Sequence, residues 1–124
     1  MLNFNSILLF SDSPKKLSGF YKKVFQKDPE WVESDYSGFS VGKGMFTVGP
    51  HDRVKGKNKT PERVIFNFET KDVQKEFKRI EKLGAKVIAK PYHPSEEPDM
   101  WLATLSDPDG NFFQLMTPWE INKS

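Results

Sequence analysis

Cysteine is missing from all 124 residues, which removes disulfides, thiolate metal sites and a cysteine nucleophile together. Histidine is scarce, so any imidazole chemistry rests on His51 and His93 alone. A charge excess is lacking too: 19 basic residues face 17 acidic ones, for a net charge of +2. A nucleic-acid binder more often carries a large basic surplus. The densest basic tract, residues 53–59, has no aromatic side chain on which a base would stack, so it reads as a solvated linker. The apolar run around Ile7 to Phe10 is too short for a signal core or a membrane span, and no basic region precedes it. The expectation is a cytoplasmic protein with no nucleic-acid and no membrane partner. Glycine-rich phosphate loops, a Ser-His-Asp arrangement and an HExxH helix are likewise absent. Gly38, Gly42 and Gly44 read as turn residues, without the helix that a phosphate cradle needs.

What is abundant is phenylalanine, with 11 copies beside three Trp and three Tyr. Hydrophobic residues at 36% against charged residues at 29% permit a core, and some of the aromatic surface is available to line a pocket. The length suits a single domain over residues 1–124. Residues 4–11 read as a strand. Ser13-Pro14 then reads as a helix cap followed by proline at the first helical position. Leu17, Phe20, Tyr21 and Val24 form one apolar stripe at helical spacing, with Lys15, Lys16, Lys22 and Lys23 on the other side. Short strands follow at residues 31–35, 39–41 and 45–48.

A polar linker, residues 49–62, separates this first module from a second with the same rhythm. Residues 63–69 read as a strand, and Thr70 or Asp72 caps a helix whose stripe is Val73, Phe77, Ile80 and Leu83. Gly84 ends that helix in the left-handed conformation. Strands at 86–89, 102–105 and 111–116 complete it, with Asp107-Pro108-Asp109-Gly110 as the turn between the last two. Each half thus spells strand, helix and three strands, and internal repetition of this kind is itself a statement about the fold. Alternation assigns faces: Val64, Phe66 and Phe68 toward the helices, Ile65, Asn67 and Glu69 away from them; Phe113 and Leu115 alternate with Phe112, Gln114 and Met116. The semi-polar face turned from the helices is the candidate site.

The first helix, Ser13-Pro14-Lys15-Lys16-Leu17-Ser18-Gly19-Phe20-Tyr21-Lys22-Lys23-Val24-Phe25, and the closing Ser106-Asp107-Pro108-Asp109-Gly110-Asn111-Phe112-Phe113-Gln114-Leu115 resemble the vicinal oxygen chelate superfamily. That group holds glyoxalase I enzymes, extradiol dioxygenases, fosfomycin-resistance transferases and bleomycin-resistance proteins. Lys82-Leu83-Gly84-Ala85 matches the segment after its second helix. The resemblance implies an α+β fold of two βαβββ modules making a U-shaped, eight-stranded mixed sheet. It also implies where a divalent cation sits in the metal-using members: at positions that are Ser6, Thr47, Ile65 and Gln114 in this chain. Alkyl groups cannot coordinate a cation, and hydroxyl and amide oxygens are weak neutral donors. A register error of one residue brings in Asn5, Val64 or Phe113, none of which repairs the set. The expectation is therefore a protein without a metal or other cofactor.

The residues expected to meet a ligand are Gln114, Ser6, Asn67, Trp101, Phe46, Tyr36, Met116 and Phe112. They suit a small, partly aromatic organic molecule, sequestered by stacking and a few hydrogen bonds, in a homodimer. Two alternatives stay open on the sequence. One is a lyase, isomerase or dioxygenase taking its metal or base from His51, His93 or Glu69, since loops at a site's mouth often carry function. The other is an interaction module that binds no small molecule. The acidic loop Ser95-Glu96-Glu97-Pro98-Asp99 reads as a hydrated turn.

Overall fold

The computed structural model describes residues 1–96 and 98–119. Glu97 of the acidic loop lies outside the described residues. The chain divides into two compact units, Met1–Lys57 and Asn58–Ser124. Each carries one four-stranded mixed sheet and one α-helix, giving the α+β architecture expected from the repeated rhythm.

In the first unit the order is β1 (Ser6–Ser11), α1 (Pro14–Phe25), β2 (Trp31–Glu33), β3 (Tyr36–Val41) and β4 (Gly44–Pro50). The sheet runs β1-β4-β3-β2, with β1 and β4 parallel and the other neighbours antiparallel. Helix α1 starts with Pro14 in its first turn, as its fixed φ and missing N–H allow. Ser13 does not cap it with its side chain: its hydroxyl donates instead to Asp12 Oδ1 at 3.4 Å. Gln26 closes the helix in the left-handed conformation. Leu17, Tyr21 and Val24 are buried, and the aromatic surplus is spent here. Tyr21 and Phe25 of the helix meet Phe46 with ring centroids 4.7 and 5.4 Å apart, and Phe25 meets Phe39 at 5.4 Å.

Those contacts fix the faces. Phe46 pairs with Ile7 on one side and Phe39 on the other, so these three side chains share the helix-facing side. Phe46 is 4% exposed and belongs to the core. The expectation that it meets a ligand is overturned, because strand alternation turns it under α1.

The second unit opens with a 3-10 turn (Pro61–Arg63), followed by β5 (Ile65–Glu69), α2 (Val73–Lys82), β6 (Lys86–Tyr92), β7 (Leu102–Ser106) and β8 (Phe112–Met116). Its sheet runs β5-β8-β7-β6, again with the outer pair β5 and β8 parallel. Asp72 is the true cap of α2: its carboxylate accepts the Lys75 N–H at 3.0 Å. Val73, Phe77 and Ile80 are buried, whereas Leu83 is largely exposed because the helix ends one residue earlier. Gly84 takes φ +97 just beyond it, as expected. Ala103, Leu105, Phe113 and Leu115 supply the buried side of this sheet. Strand β6 continues past the expected stop at Ala89 and carries Pro91 inside it. That is tolerated because β6 is an edge, and its pairing with β7 slips twice.

The turn before β8 is the most heavily hydrogen-bonded loop. Asp107, 4% exposed, accepts the backbone N–H groups of Asp109 and Asn111 at 2.9 and 3.0 Å, and the Asn111 side-chain amide at 2.9 Å. Asn111 in turn accepts from Asn58 Nδ2 at 3.0 Å, which ties the start of the unit to its last hairpin. Gly110 supplies the positive φ, +83, that the turn requires.

Two outcomes follow from this packing. Asp107→Ala strands buried donors and is expected to cost about 3 kcal/mol in urea denaturation. Phe46→Ala is expected to cost about 3–5 kcal/mol, against about 1 kcal/mol for Tyr36→Ala, since one ring is in the core and the other on the surface.

Candidate functional site

With one helix per sheet, the opposite face of each sheet is left to other contacts. In the first unit that open face carries three cross-strand rows. Ser6 lies beside Met45 and Ser40; Leu8 beside Thr47, Gly38 and Trp31; Phe10 beside Gly49, with Tyr36 next across. Two aromatic rings lie flat on glycines. A Cβ added at Gly38 would overlap the Trp31 indole, and one at Gly49 would overlap the Tyr36 ring. The Tyr36 hydroxyl also reaches the Pro50 carbonyl at 3.5 Å. Both glycines are therefore strand residues that make room, which corrects the reading of Gly38 as a turn and of Gly49 as the start of the linker. Trp31 and Tyr36 remain 39% and 36% exposed.

The second unit's open face has Ile65, Phe112, Ser106 and Lys86 in one row. Asn67, Gln114 and Thr104 form the next, and Glu69, Met116, Leu102 and Tyr92 the third. Gln114 Nε2 donates to Thr104 Oγ1 at 3.2 Å. Thr104 and Met116 are buried, while Asn67 and Glu69 are exposed. Four expected residues, Asn67, Gln114, Phe112 and Met116, thus share one face of one sheet. Ser6 and Tyr36 share the equivalent face of the other.

Trp101 departs from that set. Its backbone N–H donates to Thr117 Oγ1 at 3.0 Å and its carbonyl accepts the Thr117 N–H at 3.2 Å, one step beyond the Leu102–Met116 pair. Alternation turns it to the side of Ala103 and Leu105, away from Gln114. Its indole packs against His93, with ring centroids 3.9 Å apart and the planes tilted by 44°. His93 Nδ1 lies 2.8 Å from the Met100 carbonyl, to which it donates, so Nε2 is the nitrogen left to face outward. His51 is a loop organiser: Nδ1 accepts the Arg53 N–H at 3.1 Å, and the ring meets Phe10 edge-on at 5.1 Å. The basic tract beside it is pinned by Gly56 N–H donating to Asp12 Oδ2 at 2.8 Å. Among the described residues, no three His, Asp or Glu side chains gather to hold an ion within either unit.

The four positions that the resemblance marks for metal ligands all project from open faces: Ser6 and Thr47 in one unit, Ile65 and Gln114 in the other. Their donors are two hydroxyls, an alkyl group and an amide. Neither unit's pair fits a divalent cation, because nothing anionic or imidazole-like in it replaces the ion's hydration shell. Two residues of these faces were not anticipated. Thr104 was findable as one of two polar side chains, with Ser106, that alternate with Ala103 and Leu105 within Leu102–Ser106. Trp31 carried a weaker signal, a large ring on a strand whose partner has a glycine.

The model of the glyoxalase-like domain matches residues 6–116. No curated protein matches the chain. Among solved structures, a glyoxalase-related enzyme from Fulvimarina pelagi is similar with TM-score 0.77 and 12% identity, covering 95% of this chain and 89% of that one. A glyoxalase/bleomycin resistance protein/dioxygenase family enzyme from Burkholderia phytofirmans PsJN gives TM-score 0.75 and 21% identity, over 94% and 98%. A glyoxalase/bleomycin resistance protein from Albidiferax ferrireducens T118 gives 0.73 and 13%, over 93% and 98%. These identities speak for the fold. With the family match spanning nearly all of the ordered elements, the chain belongs to the glyoxalase-like domain family of the vicinal oxygen chelate superfamily.

Proposed function

We propose that this chain holds a small, partly aromatic organic molecule against its open sheet faces, without a metal, and sequesters it rather than transforming it. One observation carries the reading: the positions that hold metal ligands in catalytic relatives present Ser6, Thr47, Ile65 and Gln114 on those faces. Recognition then rests on stacking and neutral hydrogen bonds; Tyr36 and Trp31 offer rings on the first unit's open face, and Phe112, Asn67 and Gln114 offer a ring and two amides on the second's. Apolar walls with a few fixed polar groups are the usual make-up of a small-molecule site. Sequestration needs no acid, base or nucleophile, and the open-face rows around Gln114 and Thr47 supply none among their central residues. A homodimer belongs to the same proposal; the exposed Leu8, Val32 and Ile88 are apolar surface available for pairing.

Metal analysis of untagged protein purified without chelator is expected to find no stoichiometric zinc, nickel, manganese or iron. A thermal-shift screen of planar organic compounds is expected to return hits whose shift falls in Gln114→Ala or Tyr36→Ala. A full equivalent of divalent metal, with a turnover lost on its removal, would overturn the proposal in favour of an enzyme. Silence across the screen would leave an interaction module.

A further inference from the structure

The middle row of the second sheet narrows the ligand. We infer that the Asn67–Gln114–Thr104 row recognises a neutral planar amide group, such as a carboxamide, lactam or ureide, on a small molecule. The inference rests on the binding function proposed above.

Asn67 and Gln114 are register neighbours on parallel strands, so two primary amides stand side by side on one face. Gln114 is oriented by its bond to the buried Thr104. Asn67 is exposed, and its side-chain amide carries no hydrogen bond among the described residues. The pair therefore offers both N–H donors and carbonyl acceptors at neighbouring points. Ile65 and Phe112 flank the row on one side, Met116 and Leu102 on the other. A planar group lying along this row meets neutral donors and acceptors there, while Ser106, Lys86 and Glu69 are the polar residues of the flanking rows.

Ligand charge can be decided from the same rows. A carboxylate brings two acceptors and no donor, so one half of each amide goes unanswered. It also approaches Glu69, two residues along the same strand from Asn67, whose charge repels it. The cation in the register rows of this face is Lys86, on the far edge strand. A purely apolar ring would strip water from the amides and return no hydrogen bond, a loss that neutral polar groups register strongly. An amide edge, with an N–H donor and a carbonyl acceptor on the same carbon, answers both.

The test uses the full chain, labelled with nitrogen-15 and titrated at millimolar concentration with benzamide, benzoate and N,N-dimethylbenzamide. The side-chain NH₂ signals of Asn67 and Gln114 are expected to shift with benzamide, at an affinity about tenfold better than for the other two compounds. In Gln114→Met that preference is expected to shrink toward one; if this variant does not fold, Asn67→Ala, at an exposed side chain, asks the same question. Equal binding of benzoate or the dimethyl compound at these residues overturns the amide assignment and leaves the binding function standing. A response confined to residues elsewhere also overturns the assignment. No response to any of the three overturns the assignment and removes support for a small-molecule site on this sheet.

Discussion

Each sheet in this protein has four strands and a single helix to cover it. One helix buries one side, and strand alternation then forces every second residue onto the other side. In the first unit Tyr21, Phe25, Phe39 and Phe46 consume the covered side in one aromatic cluster. In the second, Phe77 and Ile80 of α2 and Phe113 and Leu115 of the sheet are all buried. The remaining faces are what the fold leaves for function. Their chemistry is set by residues that the core does not claim.

Those faces differ in kind. The first presents rings lying on glycines, where the absence of a side chain is the structural requirement. The second presents a line of neutral hydrogen-bonding groups between rows that mix apolar residues with Ser106, Lys86 and Glu69. At the positions that the sequence resemblance marks for metal ligands, this chain carries hydroxyl, alkyl and amide groups. Fold and chemistry are separable on such a scaffold, and the side chains decide between them.

The architecture was legible in the sequence because periodicity and punctuation agreed. The helix stripes apart from Leu83, together with Gly84 and the Asp107–Gly110 turn, stand where their spacing predicts. Two glycines misled for a common reason: in a sequence, a glycine that makes room for a ring looks like one that makes a turn. Only the partner strand, carrying Trp31 or Tyr36, distinguishes them. Phe46 misled differently. An aromatic residue on a strand is equally at home on either side, and parity counted from an uncertain strand end does not settle which. Asn67, Gln114, Phe112 and Met116 share the face that alternation gave them, because they sit in short strands whose register is regular, although Met116 is buried there.

Proline 91 has a consequence for the protein's solution behaviour. It removes a backbone donor from the outermost strand of the second sheet, whose pairing is already slipped at two points. Lys86 and Lys90 place positive charge on the same border. An incoming strand would find an interrupted ladder and an unfavourable field there, so growth of the sheet from that border into larger aggregates is discouraged by the chain itself.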